Sequence, residues 1–260
     1  PDVYQGSPTP AAAFLSVGPK VAAFAALLKF FTIMLGSQSD TWVPLMIALS
    51  IATMIVGATM ALVQKDLKRM LGFSSIGHVG YLLLAVVATG DSGRTLGMAA
   101  VLFYLAAYTF MNMGAFGVLV HLANHNARFN DSLDDLAGLG KRHPWAAGVM
   151  TLFMLSLTGV PPTAGFLAKF YLFSAVVDAG FAWLAVLGAL FSLVSAFFYL
   201  RVIVFMYMRD SEQAEEKTDG KSWDLSLGLG IAAAGVLLLG ILPAPVLNAA
   251  QDAVVKILGN

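Results

Sequence analysis

The sequence predicts an all-α, polytopic transmembrane helix bundle. Three observations carry that. Hydrophobic residues make up 58% of the 260 positions and charged residues only 12%, about half the charged share of a soluble domain. Mean hydropathy is +0.80. The apolar residues are gathered into runs of bilayer-spanning length, about 20 residues each. A soluble fold needs more polar surface than this. Composition thus excludes a soluble cytosolic enzyme and a disordered chain. Fifteen Lys+Arg balance fifteen Asp+Glu, so no global field invites nucleic acid. Cysteine is absent, which removes disulfides and thiolate metal or iron–sulfur ligation.

Seven spans are predicted within a single transmembrane domain, 1–260: residues 12–35, 43–64, 70–89, 95–122, 146–177, 181–208 and 225–248. The chain opens on Pro1 rather than Met and reads as part of a longer protein. With seven crossings, nine cations share the side of residues 1–10: Lys65, Lys68, Arg69, Arg128, Lys141, Arg142, Arg209, Lys217 and Lys221. The other side holds only Arg94 and Lys256. The positive-inside rule then puts residues 1–10 in the cytoplasm and the C-terminus outside. Miscounting one span would destroy this asymmetry.

The fifth span is too long for one crossing. At 1.5 Å per residue, its 32 residues would reach ~48 Å against a ~30 Å hydrocarbon core. Gly159-Val160-Pro161-Pro162 lies in its middle, and two prolines remove backbone donors and clash with the preceding turn. Two half-helices, 146–158 and 163–177, are expected around irregular backbone. Such backbone survives at membrane depth only inside protein or along a wet cavity.

Four cations fall inside the predicted spans, Lys20, Lys29, Lys169 and Arg201, whereas every carboxylate lies in a loop or at a span end. Arg201 and Lys29 are close enough to span ends to snorkel. Lys20 lies near mid-depth after Pro19. Lys169 follows the helix break by about 10 Å of rise, one turn beyond Gly165. A lysine beside a broken helix at mid-membrane has the character of a transporter ion site. Burial disfavours an ammonium and a second cation does so further, so such a lysine can release and regain a proton near neutral pH.

The predicted 70–89 span adds a polar stripe. Ser74, His78 and Tyr81 share one face, with Ser75 beside it. With water, such a stripe can shuttle protons, or it can simply be a satisfied core. Lys65 and Lys68 just before it read as topology anchors or as a proton entry. His121 and His125 have metal-ligand spacing but no evident third ligand, and His143 lies in a loop, so no metal is assigned. The string from Gly228 to Ala233 loosely matches a dinucleotide fingerprint, but it lies in an apolar span without βαβ context. No sequence feature binds NADH, flavin or haem.

Three stretches carry a family resemblance: PDVYQGSPTP at the start, KDLKRMLGFSSIGHVGYLLLA from Lys65, and GVPPTAGFLAKFYLF from Gly159. They resemble the antiporter-like membrane subunits of respiratory complex I, closest to the subunit-N branch of bacterial NADH–quinone oxidoreductase. The resemblance runs over essentially the whole chain. It implies a fourteen-helix protein with two inverted five-helix repeats, of which the spans here would be the eighth to fourteenth. It implies that Gly159–Pro162 is the break of the twelfth helix, that Lys169 is the terminal proton donor toward the outer side, and that Lys20 belongs to the central hydrophilic axis. Ser75, His78 and Lys68 match the polar stretch of the tenth helix. The family's glutamate and lysine on earlier helices would lie in sequence preceding Pro1.

The resemblance further implies proton translocation by a non-redox subunit, other membrane subunits and the lipid bilayer as partners, and a bacterial inner-membrane location. NADH, FMN, iron–sulfur clusters and quinone would belong to other subunits. Competing readings are a Na⁺/H⁺ antiporter subunit, a hydrogenase- or formate-linked membrane subunit, and a structural scaffold. Sodium would want carboxylate oxygens, which the spans lack.

Overall fold

The computed structural model describes residues 1–90, 94–126, 128–210 and 223–258. Its helices are α1 (Asp2–Gly6), α2 (Thr9–Lys29), α3 (Ser39–Leu62), α4 (Leu67–Val87), α5 (Arg94–His125), α6 (Leu139–Arg142), α7 (Pro144–Thr158), α8 (Ala164–Asp178), α9 (Ala182–Met208), α10 (Trp223–Ile241) and α11 (Ala244–Leu258). Among the described residues there is no strand, only an isolated bridge between Asp66 and Ser132. Among the described residues, six helices are long and apolar enough to span a bilayer alone: those of α2, α3, α4, α5, α9 and α10. The shorter apolar helix α7, with α8 after it, forms the broken pair expected for the fifth predicted span.

The helices are graded by burial. In α4 89% of the span is buried and in α5 67%, whereas α10 buries only 17%. α4 and α5 are therefore the axis, and the others turn one face to lipid. Lipid gives little hydrophobic drive for helix association, so close backbone approach has to supply it. The α3–α4 contact shows this. A Cβ on Gly57 would stand 2.3 Å from the Gly77 nitrogen and 2.6 Å from its Cα.

One end of the bundle is knitted by polar contacts between loops. Asp66 caps α4, its side chain accepting from Arg69 N at 2.7 Å. Leu67 N donates to Asp131 O at 2.7 Å, and Leu133 N to Lys65 O at 2.9 Å. Lys68 pairs with Asp131 at 3.0 Å and Lys141 with Asp210 at 2.7 Å. These are cations that the sequence groups on one side. Lys217 and Lys221, counted with them, lie outside the described residues. Arg94 packs against Gly36 at the opposite end.

The predicted first span, 12–35, is found as one span, Thr9–Met34, in which α2 passes at Lys29 into a π-turn, Phe30–Met34, where Thr32 bonds Leu28 O at 2.6 Å. One boundary and one short helix differ from the sequence reading. The predicted last span, 225–248, stops at Ile241. Pro243 cannot donate and pushes its predecessor out of the helical region. A separate helix, α11, then lies against α5, burying Ala250 and Val254. The short α1 was not predicted.

Gly57→Ala puts a methyl into backbone that has no room to move, so it is expected to cost about 1–3 kcal/mol. Gly228 has no atom within 4 Å of its would-be Cβ, and Gly228→Ala should leave the melting temperature unchanged. Thermal melting of the two variants in detergent checks the contrast.

Candidate functional site

The break between α7 and α8 creates its own ligand. Gly159 adopts φ +95°, a left-handed cap that an L-residue resists. It ends α7 and leaves the last carbonyls without helical partners. α8 starts beside them because Gly165 lets it: a Cβ there would sit 1.7 Å from Ser156 O. Ser156 Oγ accepts from Gly165 N at 3.1 Å. Lys169, one turn further, reaches back and donates to Leu157 O at 3.0 Å, Thr158 O at 2.7 Å and Ser192 Oγ at 2.8 Å. Its side chain is buried. An ammonium has three donors, and here all three are used. The cation also sits at the negative end of the α7 dipole.

Lys20 is placed by similar means on α2. It donates to Ser16 O at 2.8 Å, to Ser75 Oγ on α4, and toward Tyr108 OH on α5 at 3.5 Å. Tyr108 OH in turn donates to Ser75 Oγ at 3.0 Å. Asn112 steadies the arrangement by donating to Ser16 Oγ at 2.6 Å.

Between the lysines lies His78, buried on α4. Its Nδ1 is 2.6 Å from Tyr104 OH and its Nε2 is 3.0 Å from Tyr199 OH. Tyr199 also bonds Ser74. A neutral imidazole has one donor and one acceptor, and a phenol can be either. The cluster can therefore run its hydrogen bonds in either direction. The His78 ring lies 4.9 Å from that of Tyr108 and 5.9 Å from that of Tyr81. Tyr81 completes the row, with Lys169 Nζ 5.3 Å from its ring centre.

The structure thus brings Lys20, Ser75, His78, Tyr81 and Lys169 into one row, together with Gly159, Pro161 and Pro162 at the break. Lys68 stands apart, held by Asp131 and by Ser7 O at 3.3 Å. Arg201 reaches the end of α3 and binds Leu62 O at 2.8 Å and Gln64 O at 2.6 Å. Lys29 is exposed. The His121 and His125 rings lie 4.2 Å apart, and His143 approaches His125 at 6.4 Å. No group of three ligands among the described residues is arranged for a metal.

Sequence reading missed Tyr104, Tyr108, Asn112, Ser192 and Tyr199. A signal existed for most of them. Tyr104, Tyr108 and Asn112 recur every four residues along α5, and Ser192, Ser195 and Tyr199 share a face of α9.

The described residues thus define a many-span membrane helix bundle with a buried ammonium beside a broken helix, a second, part-buried ammonium and a histidine–tyrosine cluster between them. Residues 1–195 match the family described as NADH:quinone oxidoreductase/Mrp antiporter, TM, and the chain belongs to that family. It is 47% identical over 257 residues to NADH-quinone oxidoreductase subunit N 2 of Roseiflexus castenholzii, covering 98% of this chain and 51% of that protein. In a structure of respiratory complex I from Thermus thermophilus with bound aureothin, a chain 34% identical superposes with a TM-score of 0.78, over 96% of this chain and 53% of that one. A chain of an archaeal membrane-bound sulfane sulfur reductase, 26% identical, superposes with a TM-score of 0.85 over 98% of this chain and 51% of that one. The chain spans about half the length of these relatives.

Tyr199→Phe would strip partners from both His78 and Ser74 in a buried site, at an expected cost of about 1–3 kcal/mol. Ser74→Ala leaves Tyr199 bonded to His78 and should cost clearly less. Melting temperatures of the two variants test the order.

Proposed function

We propose that this chain is the C-terminal half of a proton-translocating membrane subunit of NADH:quinone oxidoreductase, with no redox chemistry of its own. NADH, FMN, iron–sulfur clusters and quinone belong, on this reading, to other subunits, and the neighbours of this chain are further membrane subunits and lipid. The observation that carries the reading is the polar row from Lys20 to Lys169 through the most buried helix. Two charges at mid-membrane are expensive, and the row surrounds them with groups able to accept and pass a proton.

The proposed path runs from Lys20 through Ser75 and Tyr108, past His78 with Tyr104 and Tyr199, to Tyr81 and Lys169. Lys68 stands at its entrance. Water joins the clusters where aromatic rings meet without a hydrogen bond. Residues 1–10 face the cytoplasm of a bacterial inner membrane and the C-terminus faces the outer side, as the distribution of Lys and Arg favours. Moving one charge against 100 mV costs ~2.3 kcal/mol. The environments of the lysines must therefore change during turnover. The family also embraces antiporter subunits. A sodium path would call for carboxylates, and among the described residues none joins this row.

Lys169→Ala in the assembled complex tests the proposal. Proton output from inverted membrane vesicles should fall roughly tenfold, while NADH oxidation by an artificial acceptor stays normal. Full proton output would reduce this chain to a membrane scaffold.

A further inference from the structure

Between Lys68, at the entrance of that path, and Lys20 lies one face of α4. Lys68, Gly72 and Ser75 are spaced i, i+4 and i+7 on one face of α4. The short helix α1 lies over that face. A Cβ on Gly72 would meet Tyr4 Cδ2 at 3.0 Å and Pro1 Cα at 3.2 Å, so glycine makes room for the Tyr4 ring. The Tyr4 hydroxyl donates to Leu15 O at 3.4 Å. Arg69 clamps α1 from outside through Asp2 at 2.8 Å and Gln5 at 3.1 Å.

At the outer end of this face, Asp131 binds Lys68 at 3.0 Å, and both side chains are largely buried, 14% and 11% exposed. Asp131 comes from the distant loop before α6, where it adopts φ +58°. Its backbone oxygen accepts from Leu67 N, which ties the loop to the start of α4. Its Oδ1 is buried without a hydrogen-bond partner, and an ionised carboxylate pays for such an orphan oxygen.

Resting on the proton-transport reading, we propose that Asp131 is the intake acid of this half: with Lys68 and Tyr4 it forms a gated entrance that delivers protons to Ser75 and Lys20. A proton from the aqueous face adds to the Asp131 carboxylate and breaks the ion pair. The Lys68 ammonium then gives one proton inward to Ser75, through water alongside the Tyr4 ring, and takes the proton of Asp131 in return. Asp131 ends as a carboxylate again, and one proton has moved inward. The other charged groups around Asp131 are Asp66 at the start of α4 and Asp135 in the loop. Burial pushes the Asp131 carboxyl above the usual carboxylate range, opposed by Lys68 and helped by the charges of Asp66 and Asp135. It therefore stays protonated to higher pH than an exposed acid, and intake slows as the pH on that face rises.

Asparagine and glycine both tolerate the left-handed backbone that Asp131 adopts, so Asp131→Asn and Asp131→Gly remove the acid and keep the loop. Inverted vesicles of the assembled complex present the intake face to the bath. Proton output, scaled to NADH oxidation by an artificial acceptor, should fall roughly tenfold in both variants and lose its decline with rising bath pH. Asp131→Glu should recover most of the output. If both variants match the unaltered complex in output and pH profile, the proposal is overturned. If only Asp131→Gly fails, the residue serves the loop and the proposal is likewise overturned. The Lys169→Ala complex separates the two claims: loss of output there, with normal Asp131 variants, removes the intake acid and leaves the transport reading standing.

Discussion

The bond between the Lys169 ammonium and the open end of α7 is the constraint on which the rest of the site depends. Breaking a helix in hydrocarbon exposes carbonyls that nothing in lipid can satisfy. Burying an ammonium in the same place exposes three donors. Each would be costly alone, and each removes the cost of the other. Gly159 supplies the turn and Gly165 the close approach, so that the lysine, one turn into α8, meets Leu157 O and Thr158 O. Ser192 stands by as a substitute donor, its hydroxyl 3.4 Å from Thr158 O. A lysine that lost its proton would therefore leave that carbonyl with an alternative partner.

Neutral partners matter for the same reason. A carboxylate beside Lys169 or Lys20 would hold the ammonium form through a strong Coulomb attraction. Carbonyls, hydroxyls and an imidazole stabilise it more gently and can accept or return a proton themselves. The contrast lies within the same chain. Lys68, at the end of α4, is paired with an acid, whereas the two deeper lysines are held by dipoles. Pairing near the surface and dipoles at depth is the arrangement expected where a charge must be caught first and then allowed to move.

Much of this was legible in the sequence because oil makes polar residues conspicuous. Lys20, Lys169 and His78 stood out as charges or imidazole inside apolar runs, and the Gly159–Pro162 break stood out because thirty-two residues cannot cross a bilayer straight. The seven crossings follow from run length alone. The tyrosines were harder to see. A phenol is at home in an apolar core, so Tyr104, Tyr108 and Tyr199 show only in their spacing with other polar residues along α5 and α9. Only the meeting of α4 with α5 and α9 shows them to be partners of one histidine. The ends of the last span and the short α1 were missed because their cues are local: Pro243 in the one case, and a segment of one turn and a half in the other. The Asp131–Lys68 pair could not be read at all, since sixty-three residues separate its two members.

The placement of the row on α4 has a mechanical consequence. α4 is the helix least exposed to lipid, and it touches α2, α3, α5, α8 and α9. The lysines are not on it; they reach it from α2 and α8. The hydrogen bonds form clusters around Lys20, around His78 and around Lys169. Between clusters the contacts are between rings or between ring and ammonium, at 4.9 Å and 5.3 Å. An unbroken chain of hydrogen bonds would let protons run back down their gradient. On the proposed proton path, these gaps would hold a proton until water entered or a side chain turned, and the packing of α2 and α8 against the central helix would then govern its movement.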